Sequence, residues 1–117
     1  MKKKILVVDD EPDIAKGIRD FLEEHDYEVL IVHDGLQGLE TARRVNPDLI
    51  LMDVFMPGLT GVQLAEELQA QGHRGPIIVM SARSGTRELF ENRKGFAFLN
   101  KPFNQNQLLE KIHSLLA

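Results

Sequence analysis

The segment ILVVDDE, residues 5–11, joins four consecutive apolar residues to three acidic ones. An uninterrupted apolar run of this length is typical of a strand buried on both faces, as in a parallel sheet covered by helices on each side. Five runs of this kind occur along the chain, and we predict a strand for each: Ile5–Val8, Val29–Val32, Leu49–Met52, Ile77–Met80 and Phe96–Leu99. The pattern favours an α/β fold.

Helix signals separate the predicted strands. Pro12 suits the first turn of one helix, and the capping boxes Thr60/Gln63 and Asn104/Gln107 predict the starts of two others. The predicted apolar faces are Ile14, Ile18, Phe21 and Leu22; Leu36, Leu39, Ala42 and Val45; Val62, Ala65 and Leu68; and Leu108, Leu109, Ile112, Leu115 and Leu116. Residues 83–95 carry few apolar side chains, so we expect a short fourth helix there, either a weakly anchored moving part or a static solvated helix.

Composition limits the classes of function. The 117 residues, 43% of them hydrophobic, suit one compact soluble domain spanning residues 1–117, with no output domain. A net charge of -4 argues against direct binding of nucleic acid or anionic lipid. The chain has no cysteine, which excludes disulfides and thiolate metal sites and suits a reducing cytoplasm. No apolar run approaches the roughly 20 residues that span a bilayer, so we expect no membrane anchor or signal peptide.

Chemically useful side chains follow the predicted strands. Asp9, Asp10 and Glu11 come after the first strand and Asp53 after the third. In a doubly wound sheet of order 2-1-3-4-5 these strand ends are neighbours, and the crowded carboxylates would suit Mg²⁺. Solvated or helix-capping acids are the alternative interpretation of the acidic pair alone.

A hydroxyl and an ammonium group join the same edge of the sheet. Ser81 follows the fourth strand, and Lys101 follows the fifth. A serine, a lysine and a divalent cation together can stabilise a phosphoryl group in transfer, and a carboxylate can act as the nucleophile. Singly, Ser81 could cap a helix and Lys101 could be a surface charge.

Four motifs in order carry a resemblance to a known family: residues 8–11 (VDDE), Asp53 with residues 56–58 (MPG), residues 80–82 (MSA) and residues 101–103 (KPF). Over essentially its whole length, the chain resembles the receiver domain of two-component response regulators, which has the flavodoxin-like fold. The resemblance implies a phosphorylation-dependent switch that catalyses only its own phosphorylation and dephosphorylation. Its implied partners are a sensor histidine kinase or a histidine phosphotransfer protein, an unknown output partner, and a phosphorylation-dependent dimer as one form of output.

The resemblance also implies residue roles. Asp53 would be the phosphoacceptor. Mg²⁺ would be bound by Asp10, by Asp53 and by the main-chain carbonyl of Phe55, with Asp9 acting through water. Lys101, preceding a cis Pro102, and Ser81 would hold the phosphoryl oxygens. Ser81 and Phe98 would form the switch, although core packing explains a strand phenylalanine equally well.

Some features depart from the family pattern. The spacing of 20 from Ser81 to Lys101 is one or two residues short, and residues 95–98 (GFAF) replace a more acidic turn. These differences put the output face, formed in the family by the fourth helix, fifth strand and fifth helix, in doubt. Phe55 and Arg83 would flank the path of the hydrolytic water, so we expect them to prolong the phosphoryl lifetime.

Other interpretations remain open from the sequence. One is an unphosphorylated interaction module on the same fold. Two enzyme alternatives lack the parts that they require. A phosphohydrolase would need a second acid beyond Asp53, and an FMN site would need a glycine- and hydroxyl-rich loop after the first strand, where Asp9 and Asp10 stand instead. We expect the four histidines, His25, His33, His73 and His113, to be solvated.

Overall fold

The protein is described by a computed structural model covering residues 2–54, 56, 59–82, 85, 87–90 and 95–116. Strands and helices alternate along the chain. The strands are β1 (Lys4–Val8), β2 (Glu28–Val32), β3 (Leu49–Asp53), β4 (Ile77–Ser81) and β5 (Phe96–Asn100). The helices are α1 (Pro12–Glu23), α2 (Gly35–Val45), α3 (Gly61–Ala70) and α4 (Gln105–Leu116), with a 3₁₀ turn at Arg87–Phe90.

All five strands are parallel, in the order β2-β1-β3-β4-β5, as expected. Each strand is one residue longer than the apolar run that predicted it. Main-chain pairing does not stop at the first polar residue: Asp53 pairs with Met80, and Ser81 pairs with Asn100. These polar residues therefore belong to the strands themselves.

Alternate residues of the sheet supply two separate cores, which explains why the apolar runs are continuous. One face packs on α1 and α4, and the other packs on α2, α3 and Phe90. Among the strand residues, the first core contains Ile5, Val7, Leu49, Leu51, Ile78 and Met80, and the second contains Leu6, Val8, Ile50, Met52, Ile77 and Val79.

Three details of the predicted helices are wrong. Ile14 and Leu115, both placed on buried stripes, are about one-third exposed. Leu36 is 70% exposed, because the buried face of α2 consists of small residues, and a β-carbon at Gly38 would lie only 3.2 Å from Val8 Cγ2.

The described part of residues 83–95 contains a 3₁₀ turn in place of the predicted fourth α-helix. Phe90 anchors this turn in the second core at 2% exposure. Arg83, Ser84, Thr86 and residues 91–94 lie outside the described residues. Both predicted capping boxes are present, since Thr60/Gln63 and Asn104/Gln107 each make reciprocal side-chain to main-chain hydrogen bonds.

Candidate functional site

The carboxyl ends of β1 and β3 bring two aspartates together. Val8, the last residue of β1, pairs with Met52, so Asp9, which follows β1, lies beside Asp53, the last residue of β3. Asp9 is fully buried, and its main-chain N–H donates to Val32 O on the other neighbouring strand. Asp53 is also buried. The sheet register therefore fixes both carboxylates in the same protected corner.

Two further acids complete an acidic cluster of Asp9, Asp10, Glu11 and Asp53. Each can present a carboxylate oxygen within 4.8 Å of the others. The turn is held by Asp9 itself, whose Oδ1 accepts the main-chain N–H of Glu11 at 2.9 Å. Exposure increases along the chain through this cluster: Asp9 is buried, Asp10 is half-buried and Glu11 is exposed. Four carboxylates are thus held with one side open to solvent.

Lys101 brings a cation into the acidic cluster from the end of β5. Its Nζ lies 3.0 Å from Asp53 Oδ2, 3.5 Å from Asp9 Oδ2 and 3.8 Å from Glu11 Oε1. The main-chain N–H of Lys101 donates to Ser81 O at 2.9 Å, and the peptide bond between Lys101 and Pro102 is cis, as expected. The ammonium group is therefore shared by three carboxylates.

Burial and charge act in opposite directions on the titrating groups. Desolvation raises the pKa of the Asp9 carboxyl, although the Glu11 N–H and the positive Lys101 act against that rise. For Lys101, burial alone would lower the pKa, but the hydrogen bond to Asp53 and the charges of Asp9, Asp53 and Glu11 outweigh it and raise the pKa. The lysine therefore stays protonated beside the acids.

Ser81 and Phe98 lie on the strands next to the cluster. Ser81 is the buried last residue of β4, one position beyond Met80, the pairing partner of Asp53. Phe98 on β5 is half-buried, and its ring centroid is 5.8 Å from that of Phe90. The packing interpretation of Phe98 thus has a physical basis, while its role in switching stays a prediction.

The donor set fits a hard divalent cation. All side chains of the acidic cluster offer oxygen, the ligand that Mg²⁺ prefers, and the exposed side of the cluster leaves room for the waters that Mg²⁺ retains. Asp9, Asp10 and Asp53 are the predicted ligands that the structure brings together. Phe55, predicted to contribute its carbonyl, and Arg83 lie outside the described residues.

His73 is the histidine that departs from the prediction, whereas His25, His33 and His113 are exposed as expected. His73 is half-buried, and within the described residues its Nε2 has no hydrogen-bond partner. Burial lowers the pKa of His73, despite an opposing hydrogen bond with the main chain of Gly75. His33 is exposed, but its Nδ1 lies 3.1 Å from Asp9 O. The predicted strand order places β2 beside β1, so this second contact could have been inferred from the sequence.

Comparison with known proteins agrees with this geometry. The sequence model of the family described as the response regulator receiver domain matches residues 5–113 of this chain. The chain belongs to this family.

Individual receiver proteins resemble the whole chain. Response regulator MprA of Mycobacterium ulcerans (strain Agy99) is 35% identical over 118 residues, which cover 99% of this chain and 51% of that protein. Among solved structures, the receiver domain of sensor histidine kinase PA1611 from Pseudomonas aeruginosa PAO1, with a magnesium ion coordinated in its active site cleft, is 32% identical with a TM-score of 0.89. That alignment covers 99% of this chain and 98% of the other. Chemotaxis protein CheY4 of Vibrio cholerae is 29% identical with the same TM-score, at 99% and 100% coverage.

Receiver domains act as signalling switches in two-component systems and interact with histidine kinases and phosphotransfer proteins. The chain spans about half the length of the curated relatives that it matches. No helix in the described ranges is long and apolar enough to cross a membrane.

Proposed function

We propose that this receiver domain is a switch that accepts a phosphoryl group on Asp53. The observation that carries the proposal is the buried Asp53 carboxylate, 3.0 Å from Lys101 Nζ and within the acidic cluster. A nucleophilic carboxylate beside a fixed cation has the parts needed for phosphoryl transfer.

The transfer forms one bond and breaks another. An Asp53 oxygen attacks the phosphorus of a phosphohistidine or of a small donor such as acetyl phosphate, forming an acyl phosphate. The P–N or P–O bond to the donor breaks, and the donor leaves with the bonding electron pair. Lys101 and Ser81 hold the phosphoryl oxygens. In keeping with the family resemblance, the chain catalyses only its own phosphorylation and dephosphorylation.

The acidic cluster would hold Mg²⁺ through Asp10, Asp53 and the carbonyl of Phe55, with Asp9 acting through water. Bound there, the cation supplies positive charge against the phosphoryl oxygens. The donor set supports this assignment. The magnesium in the PA1611 receiver domain, 32% identical to this chain, supports it as well.

Phosphorylation then changes the partner face. The new group adds roughly -1.5 to -2 charge and three acceptor oxygens. Ser81 moves towards it and Phe98 turns inward, which biases the surface around β5 and the last helix. Phe55 and Arg83 tune the lifetime of the acyl phosphate. The short interval of 20 residues from Ser81 to Lys101 makes the geometry of this surface differ from that usual in the family.

The proposed setting is cytoplasmic two-component signalling or a phosphorelay. A sensor histidine kinase or a histidine phosphotransfer protein supplies the phosphoryl group, and an output partner or a phosphorylation-dependent dimer follows from the changed face. Residues 1–117 form one receiver domain in this proposal.

The test is the intact mass of the wild type and of Asp53→Asn after incubation with acetyl phosphate, with and without Mg²⁺. We expect a single phosphoryl adduct that needs both Asp53 and Mg²⁺. Asp26→Asn is the matched control, because Asp26 is an exposed carboxylate at a positive φ of 68° that asparagine tolerates. It should be modified like the wild type.

If the acyl phosphate on Asp53 hydrolyses too rapidly for the adduct to be seen, a titration with beryllofluoride and Mg²⁺ tests the same site by binding. If neither an adduct nor beryllofluoride binding is seen, the proposal is wrong and an unphosphorylated interaction module replaces it. An adduct on Asp53→Asn would place the acceptor elsewhere.

A further inference from the structure

Strand β2 is an edge of the sheet, and half of its main-chain groups face away from β1. Glu28 N–H donates to Lys3 O, and Val32 O accepts from Asp9 N–H. In a parallel ladder, alternate residues point their N–H and C=O to the same neighbour, so residues 28, 30 and 32 serve β1. The N–H and C=O groups of Val29 and Ile31 therefore point to the open side, where the described sheet has no further strand.

This edge lacks the usual protection against strand addition. Proteins commonly protect an edge with proline, a bulge or charged residues. Here the ladder is unbroken from Lys4↔Glu28 to Val8↔Val32, and the residues between Glu28 and His33 are all apolar. Leu30, Ile31 and Val32 are only half-buried. The edge is thus regular, apolar and accessible.

A groove of about 390 Å³ runs between this edge and α1. Its apolar floor includes Val29 and Ile31, and its polar rim consists of Lys16, Arg19 and His33. No described carboxylate lines it. Arg19 shares its charge with Asp20 at 3.4 Å and Glu23 at 4.0 Å, whereas Lys16 is exposed with no ion pair in the described part of the chain. Within the described residues, Lys16 is therefore the rim cation whose charge is not compensated by a carboxylate.

We propose that an extended acidic segment of a partner protein adds to β2 as a sixth strand. Its main chain would pair with the outward N–H and C=O groups of Val29 and Ile31, and its carboxylates would lie towards Lys16 and Arg19. A second copy of this chain fits less well, because edge-to-edge pairing would bring two identical cationic rims together. The lining of this groove includes none of the four carboxylates of the acidic cluster.

The probe is a fluorescein-labelled hexapeptide of alternating valine and glutamate, followed by fluorescence anisotropy at low salt. Binding is expected at or below about 1 mM peptide, a weak affinity for so short a strand. Lys16→Glu should weaken it by about tenfold, because a charge on the rim is inverted. The matched control Lys2→Glu, an exposed lysine outside the groove, should bind like the wild type.

Two reagents test the main-chain pairing. Ile31→Pro removes the outward N–H, and proline is tolerated on edge strands, so the variant should keep its circular dichroism and lose peptide binding. A peptide N-methylated at alternate residues tests the same bonds on the unchanged protein, and it should not bind. A third reagent tests the charge. An otherwise identical peptide with lysine in place of glutamate should not bind, because its positive charges would face Lys16 and Arg19.

The proposal is overturned if the glutamate peptide fails to bind, if the lysine or N-methylated peptide binds equally well, or if Lys16→Glu has no effect. Concentration-dependent dimerisation of the wild type that Ile31→Pro abolishes would assign the edge to a second copy and would also overturn it. Adduct formation on Asp53 with acetyl phosphate should be the same in wild type and Lys16→Glu, which separates this test from that of the proposed function.

Discussion

Gly61→Ala should destabilise the domain and disturb the strand end that carries Asp53. Gly61 is the first residue of α3, and its N–H donates to Val54 O at 2.8 Å, one residue beyond Asp53. A β-carbon at Gly61 would lie 2.6 Å from Val54 Cα and 3.1 Å from Val54 O. Because both atoms belong to the main chain, the clash cannot be relieved by rotating a side chain.

The magnitude follows from a comparison with Gly17→Ala. Gly17 lies within α1, and a β-carbon there would have no neighbour within 4 Å. Gly17→Ala should therefore stabilise the domain by about 0.5–1 kcal/mol, the ordinary gain in helix propensity. Gly61→Ala shares at most that gain but adds an overpacking cost of about 1–3 kcal/mol. The free energies of unfolding of the two variants should differ by about that cost.

Urea denaturation measured by circular dichroism at the helix signal suits a chain with one tyrosine and no tryptophan. The slope should be the same in all three proteins, so that midpoints report stability. Gly61→Ala should also form the Asp53 adduct more slowly than Gly17→Ala. Equal midpoints for the two variants would refute the reasoning, because the close approach of Gly61 to Val54 would then carry no cost.

Four further predictions test other parts of the structure. Leu51→Ala, at a fully buried position, should cost about 2–5 kcal/mol of unfolding free energy in urea, whereas Leu36→Ala, 70% exposed, should change it by less than about 0.5 kcal/mol. Thr60→Ala removes the capping box of α3 and should cost about 0.5–2 kcal/mol in the same assay. Burial lowers the pKa of His73, so the folded state binds fewer protons than the unfolded state, and stability should fall as the pH drops through about 6.5; His73→Gln should flatten this urea-midpoint profile between neutral and acidic pH. Lys101→Met removes the shared cation and should tighten Mg²⁺ binding by about tenfold in a calorimetric titration while lowering the yield of the Asp53 adduct.

The strands could be predicted from the sequence because burial on two faces leaves an uninterrupted apolar run. The chain order of strands and helices, together with the rule that ligands bind at carboxyl strand ends, also predicted which acids would meet. What the runs could not indicate was that Asp53 and Ser81 lie inside the ladder, since main-chain pairing is indifferent to side-chain polarity. The consequence is burial: both residues are less than one-tenth exposed.

Helix faces were harder to predict where packing depends on small residues. In α2 the apolar period predicts burial of Leu36, but the buried residues include Gly35, which lies against Leu59, and Gly38, which lies against Val8 of β1 and lets the helix approach the sheet closely. A prediction from helical periodicity relies on the positions of large apolar side chains, so it does not register a glycine that packs closely. The burial of His73 was missed for a related reason: a polar residue in a loop gives no sequence signal of the atoms that cover it.

The charge balance of the acidic cluster explains why phosphorylation would reach beyond the site. With all groups ionised, four carboxylates and the one ammonium of Lys101 leave a formal charge of three negative. A divalent cation would reduce this to one negative. Replacing the Asp53 carboxylate by an acyl phosphate of roughly -1.5 to -2 would make the site more negative again. Lys101 is already shared among three carboxylates, so the additional charge needs new donors. The Ser81 hydroxyl, at the end of the strand that pairs with β3, is the other predicted donor, and its movement would couple the acceptor to β5 through Lys101 N–H and Ser81 O.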